Sequence, residues 1–282
     1  MSGVKIVTDS AGDFAPEFLE GKGITVVPLT VHFGTETFRD WYDLRGKQFY
    51  DRMRSSDILP RTSQPSPAAF QEAFSEGTAD GSRVICITLS SGVSGTYQSA
   101  LIAKDMLAGK PITVIDSKLA SCGFGMLSLL AQEMASNGAG AEEIASEVTA
   151  KARKTVSVFS VDTLDYLAKN GRIGRAAHFM GTLLNMKPIL GLDAEGYVTA
   201  LERVRGSSKV IPTLVEQALE RAGSNKAAAL AVCHADCPDV GRELLKAATA
   251  AFDAKQVYES ELGPIIGSHV GPGTVALFIQ PE

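Results

Sequence analysis

The sequence has no surplus of positive charge: 27 lysines and arginines face 32 aspartates and glutamates, a formal net charge of -5. That balance argues against a nucleic-acid or anionic-membrane partner held by bulk electrostatics, and a small ligand fits it better. Long apolar runs are also missing. None approaches the ~18 residues of a membrane span, so no stable membrane anchoring is expected. The start Met1-Ser2-Gly3-Val4-Lys5-Ile6 does not read as a secretory signal, and a cytoplasmic location is the expectation. Cysteine is scarce and scattered, at Cys86, Cys122, Cys233 and Cys237, which excludes a disulfide framework and leaves free thiols. Cys233-His234-Ala235-Asp236-Cys237 has residue types that bind zinc. No second ligand pair accompanies it, so no metal is expected. No glycine-rich segment ends in Gly-Lys-Ser or Gly-Lys-Thr, and Gly171-Arg172-Ile173-Gly174 is too short for a phosphate loop.

What is present is a globular composition, 45% hydrophobic and 21% charged, over 282 residues. The length suits two domains. Val4 to Thr8 reads as a strand that feeds a polar turn, and Ile24 to Val31 as the next strand, with a hairpin over Phe33 to Phe38 carrying it back. Phe49, Tyr50 and Met53 mark a short helix. Val84 to Leu89 is a buried-strand pattern, followed by Ile112 to Ile115, with helices behind Tyr97, Ala100 and Leu101 and behind Phe124, Leu127 and Ala131. This alternation predicts a doubly wound α/β sheet with ligand groups at the carboxyl ends of its strands. Thr155 to Val161 is expected to close an N-terminal unit over residues 1–162. A C-terminal unit, 163–282, contains strands Met186 to Leu192, Val198 to Val204, Ala227 to Cys233 and Val275 to Ile279, two helices, and a polar turn at Gly267 to Thr274.

Two polar segments stand out. In Arg61-Thr62-Ser63-Gln64-Pro65-Ser66-Pro67 the prolines hold their own φ and push Gln64 and Ser66 into extended geometry. Pro67 can open a helix with Ser66 as its N-cap. Thr62, Ser63 and Gln64 would then form a stiff loop just ahead of a helix N-terminus, a place suited to an anionic or strongly polar group; an ordinary Pro/Ser turn is the alternative. The second segment, Ser90 to Ser99, turns a strand into a helix with glycines that permit close approach of a ligand. Gly92-Val93-Ser94-Gly95 begins like a nucleophile elbow, but Thr96 stands where the second glycine belongs, and nothing in sequence places His269 beside Ser94. An excess of neutral donors favours binding over catalysis. Arg172 and His269 can equally be structural, in an ion pair and a hydrogen bond.

In order along the chain, Val26-Val27-Pro28-Leu29-Thr30-Val31, Thr62-Ser63-Gln64-Pro65-Ser66-Pro67, Ser90 to Ala100, Gly171-Arg172-Ile173, Lys187-Pro188-Ile189-Leu190 and His269-Val270-Gly271-Pro272-Gly273 resemble the DegV family. The resemblance implies a bacterial, non-enzymatic fatty-acid-binding protein without cofactor, the lipid-presenting subunit of fatty acid kinase in phospholipid metabolism. It implies a Rossmann-like N-terminal α/β domain, a smaller C-terminal α/β domain and an acyl tunnel between them. Carboxylate contacts carry over to Thr62 and Ser94, with Ser63, Gly95, Arg172 and His269 near the head group or the partner-facing surface. Trp41-Tyr42 departs from the family pattern. The partners implied are a long-chain fatty acid and a fatty acid kinase catalytic subunit. Two alternatives remain: a serine esterase or thioesterase using Ser94, and a lipid-responsive interaction protein without a kinase partner.

Overall fold

The computed structural model describes residues 3–181 and 186–282. Met1 and Ser2, read above as part of the chain's start, lie outside them. The chain begins β1 (Val4–Asp9), α1 (Pro16–Glu20), β2 (Ile24–Val27), β3 (Thr30–Phe33), β4 (Glu36–Arg39), α2 (Gly46–Ser55), β5 (Arg61–Ser63) and α3 (Pro67–Gly77). It continues through β6 (Arg83–Thr88), α4 (Thr96–Met106), β7 (Ile112–Asp116), α5 (Cys122–Ser136), α6 (Ala141–Lys154), β8 (Val156–Ser160) and α7 (Asp165–Lys169). Then come β9 (Met186–Leu192), β10 (Val198–Arg205), α8 (Val210–Ala222), β11 (Lys226–His234), α9 (Pro238–Ala251), β12 (Asp253–Glu261), α10 (Pro264–Val270) and β13 (Val275–Pro281).

The expected doubly wound sheet is parallel, in the order β2-β1-β6-β7. Val84, Ile85, Cys86 and Ile87 of β6 are fully buried because helices cover both faces, which is why the run is continuously apolar. α3 and α4 pack on one face around Phe70, Phe74 and Ala100. α5 and α6 cover the other. A second, six-stranded sheet runs β10-β9-β8-β13-β11-β12, antiparallel except for the β11/β12 pair. A three-stranded antiparallel sheet, β4-β3-β5, stands beside them. The architecture is α/β with N- and C-terminal α/β units.

α5 lies between the two larger sheets, against β1 and β6 on one side and β11 and β13 on the other. Every residue from Cys122 to Leu129 is therefore buried, as expected of a helix that is apolar nearly all round. Gly125 allows the tight contact: a Cβ there would stand 2.6 Å from the Gly12 carbonyl oxygen and 2.6 Å from the Phe14 ring.

Several expectations change. The strand at Thr155 to Val161 does not close the first sheet; β8 is central in the second, paired with β13 and β9. The apolar run Ile24 to Val31 breaks at Pro28-Leu29 into β2 and β3, which belong to different sheets, while the hairpin is present as β3/β4. Pro28 cannot donate to a ladder. The Thr62 segment is an edge strand, β5, rather than a loop. Gly267 to Val270 is helical, the end of α10, because its N–H groups find carbonyls one turn back. β12, the polar sequence Asp253 to Glu261, escaped notice as an exposed edge strand with no apolar run. Trp41, the departure from the family pattern, is buried at positive φ against Gly263, where a Cβ would meet its ring nitrogen at 2.2 Å.

Gly125→Ala forces a methyl into backbone and ring at once. It should lower stability by about 1–3 kcal/mol in denaturant unfolding, and an unchanged midpoint would show that α5 is not tightly held between the sheets.

Candidate functional site

Strand geometry sorts the first hydroxyl segment. Successive residues of β5 face opposite ways, so Ser63 turns outward, its Oγ 2.9 Å from Nε2 of His32, while Thr62 turns inward, its Oγ1 2.8 Å from Nε2 of His269. Ser66 caps α3 as expected, accepting from the Ala69 N–H at 3.2 Å, with Pro67 opening the helix. Gln64 crosses to the second segment, donating from Nε2 to Ser99 Oγ at 3.3 Å. Its carboxamide lies where a side chain on Gly95 would go, 2.5 Å from that Cβ position. Gly95 thus lets the two segments touch.

In the second segment Ser94 Oγ lies 2.9 Å from Thr96 Oγ1 and accepts from the Thr96 N–H at 3.3 Å. Ser90 donates to the Gly196 carbonyl and pins the turn to the β9–β10 connection. Arg172 bridges back, donating from Nε to the Val93 carbonyl at 3.1 Å and from Nη1 to the Asn170 carbonyl at 2.8 Å. No carboxylate pairs with its exposed guanidinium among the described residues. Asn170 donates to the Ser268 carbonyl, so the basic turn is tied to α10.

His269 ends α10. Burial, with a smaller contribution from the nearby Arg172 charge, holds its imidazole down at about 4. The ring is thus neutral at physiological pH. Nδ1 is buried without a hydrogen-bond partner among the described residues.

Thr62, Gln64, Ser94, Arg172 and His269 line one cavity. Ser63 and Gly95 form no part of its wall; the first faces away and the second lacks a side chain. The remaining wall is mostly apolar, with Leu29, Leu89, Phe159, Leu262, Ile265 and Phe278 all buried and Ser121, Ser157 and Thr274 among them. The polar group is more open: Thr62 and Ser94 are partly buried and Arg172 is exposed. Sequence reading missed Ser121 and Thr274 in this wall; their serine and threonine carry no local signal.

Three buried carboxylates, also missed, position these parts. Asp9 accepts from the N–H groups of Ala11 and Leu89, setting the start of the Ser94 turn. Asp13 accepts from Gly263 N–H, and Asp40 from Ile265 N–H and Ser10 Oγ, together holding the N-terminus of α10. Burial raises Asp9 and Asp13 to about 7 and Asp40 well above the usual carboxylate range, and mutual repulsion adds to the rise in Asp13 and Asp40. They complete no catalytic set with Ser94. His269 bonds Thr62, and no hydrogen bond links it to Ser94 or to an acid among the described residues. Cys233 and Cys237, raised above as zinc-ligand types, point to different neighbours, Cys122 and the Thr274 carbonyl.

A sequence model of the DegV family, described as uncharacterised protein, matches residues 3–282. The chain belongs to the DegV family. A DegV domain-containing protein of Caldanaerobacter subterraneus is 34% identical over 282 residues, covering all of both chains. Among solved structures, a DegV family protein from Thermus thermophilus described for its fatty acid binding is 33% identical, with a TM-score of 0.94 over 99% of this chain and 100% of that one. DegV of Bacillus subtilis, a fatty acid binding protein, is 31% identical with a TM-score of 0.89, covering 99% and 100%.

The neutral histidine of this DegV chain gives a pH test. Its folded value lies below its unfolded 6.5, so the unfolded chain takes up the proton first, and His269 costs stability as pH falls from 6.5 through about 4. Asp9 and Asp13 have the opposite sign: their contribution is complete below 3.8 and is lost as pH rises through about 7. His269→Gln should therefore gain thermal midpoint relative to wild type as pH drops from 6.5 to 4. A difference that does not vary with pH would mean His269 is not held neutral.

Proposed function

We propose that this protein binds a long-chain fatty acid in the cavity between its sheets, with the carboxylate at Thr62, Ser94, Arg172 and His269. The observation that carries this reading is the cavity's lining: mostly buried aliphatic and aromatic side chains together with the hydroxyls of Thr62 and Ser94, the Arg172 guanidinium, which has no carboxylate partner among the described residues, and the neutral His269 imidazole bonded to Thr62. About 0.8 kcal/mol per buried methylene gives on the order of 10 kcal/mol for roughly fourteen of them, enough to offset much of the cost of association. A carboxylate leaving water needs replacement donors. The His269 tautomer that donates from Nε2 to Thr62 Oγ1 leaves the threonine's own proton free to point at the ligand. Ser94 supplies a second hydroxyl, and Arg172 supplies the charge that makes such hydrogen bonds strong. The fatty acid binding of the similar proteins from Thermus thermophilus and Bacillus subtilis supports the assignment.

In this reading the protein is a cytoplasmic, non-catalytic carrier that presents the head group to a fatty acid kinase catalytic subunit, which brings the nucleotide and forms the acyl phosphate. The exposure of Arg172 beside partly buried Ser94 supports presentation, since a partner can reach the carboxylate while the chain stays covered. Burial of the chain also shields an acyl phosphate from water.

Titration of delipidated protein with a long-chain fatty acid should show that Thr62→Val and Ser94→Ala each weaken binding about 10- to 100-fold, the worth of a hydrogen bond to a charged group. The corresponding fatty alcohol should bind both variants almost as it binds wild type. Delipidated wild-type protein that takes up no fatty acid would refute the assignment.

A further inference from the structure

Cys122 and Cys233 are 111 residues apart in sequence, fully buried and free, and their sulfurs stand 3.0 Å apart. Cys122 is the first residue of α5, and Cys233 lies near the end of β11. The pair thus spans the junction between the central helix and the second sheet. A disulfide needs its sulfurs at about 2.05 Å, so closing this pair brings the sulfurs about 1 Å nearer. Both belong to the packed core, with Ser121 Oγ 3.7 Å from Cys233 Sγ and Cys122 Sγ 3.8 Å from the Asp13 carbonyl.

We infer that Cys122 and Cys233 form an oxidative modification site, at which a hydroperoxide entering through the cavity converts the two thiols into a disulfide joining α5 to β11. The cavity is the route of approach: neither cysteine lines it, but a neighbour of each does. Ser121, adjacent to Cys122, lines it. So does Ala276, which pairs directly with Cys233 across the β11/β13 ladder and therefore shares its face of the sheet. The chemistry balances in two steps. One cysteine, as its thiolate, attacks the terminal oxygen of the hydroperoxide, the O–O bond breaks, and the sulfur becomes a sulfenic acid while the proton given up by the thiol goes to the leaving oxygen, which departs as an alcohol, or as water from hydrogen peroxide. The second sulfur then attacks the sulfenic sulfur and water leaves with the second thiol's proton. The protein loses two protons and two electrons, and the peroxide takes them up as it is reduced. Burial pushes the Cys122 thiol up, which slows the first step, because the thiolate is the attacking form. Proximity is what selects this pair, since a sulfenic acid formed on either cysteine has the other thiol already beside it.

The site makes a counterintuitive demand on selectivity. Cys237 is the most exposed of the four thiols, and Cys86 is buried in a different cluster, in the first sheet. Exposure alone would direct oxidation to Cys237; the geometry directs it to the buried pair.

The test exposes the full chain to hydrogen peroxide or tert-butyl hydroperoxide and maps the products by mass spectrometry after blocking free thiols. The expected result is loss of the mass of two hydrogens, with one crosslinked peptide pair containing Cys122 and Cys233, and with Cys86 and Cys237 still alkylated. Reductant should reverse it, and the thermal midpoint of the oxidised form should rise by about 5 °C because a long loop is closed. Cys122→Ala and Cys233→Ala should each abolish the mass loss; circular dichroism establishes that they fold, with Cys122→Ser as a second substitution. Folded wild-type protein that keeps all four thiols, a disulfide involving Cys86 or Cys237, or an intramolecular disulfide in Cys122→Ala would overturn the inference.

Discussion

The burial of α5 between two sheets is the constraint on which the rest of the structure depends. One helix serves as cover for the parallel sheet and as floor for the six-stranded one, so the two units cannot be packed independently. Its sequence pays with glycines: Gly123 and Gly125 sit where a side chain would strike Phe278 on one side and Gly12 and Phe14 on the other. Just before the helix start, Ala120 and Ser121 line the cavity. Leu29, Leu89 and Ile265 come to its wall from the N-terminal loops and α10, while Phe159, Ala276 and Phe278 come from the second sheet.

The same junction explains the unusual electrostatics. Asp9, Asp13 and Asp40 are fully buried beside one another, an arrangement that raises the cost of ionising each carboxyl. What they obtain in return is a set of backbone contacts: Leu89 at the mouth of one turn, and Gly263 and Ile265 at the start of α10. α10 in turn delivers His269 to Thr62. The site is therefore positioned by groups that never face the cavity, and its own members are neutral except for Arg172. That combination suits recognition of a single anionic head group by hydroxyls, with one cation at the mouth. It does not suit nucleophilic catalysis, because the hydrogen bonds of Ser94 and His269 go to Thr96 and Thr62 rather than to each other.

Much of this was legible in the sequence where the signal was local. β1, β6 and β7 read as strands because both of their faces are covered, and the Ser66-Pro67 helix start reads from residue chemistry alone. The fatty-acid reading came from resemblance rather than from pattern. Long-range pairing was not legible. β8 is as apolar as a strand of the first sheet, and nothing within it says that its neighbours are β9 and β13. Ser63 resembles Thr62 until β5 is recognised as a strand, after which alternation alone separates them. Gly95 reads as a ligand-approach glycine, whereas the group that approaches it is Gln64. The three aspartates gave no sign of their role, because Asp40 meets Ile265 from 225 residues away and Asp13 meets Gly263 from 250.

The most direct measurement is a crystal structure of the protein with a bound long-chain fatty acid. A carboxylate is expected within about 3 Å of both Thr62 Oγ1 and Ser94 Oγ, the usual length of a charge-assisted hydrogen bond, with the acyl chain between the turn before α5, α10 and the second sheet. A carboxylate at any other place in the cavity, or a fatty acid lying outside it, would contradict the account.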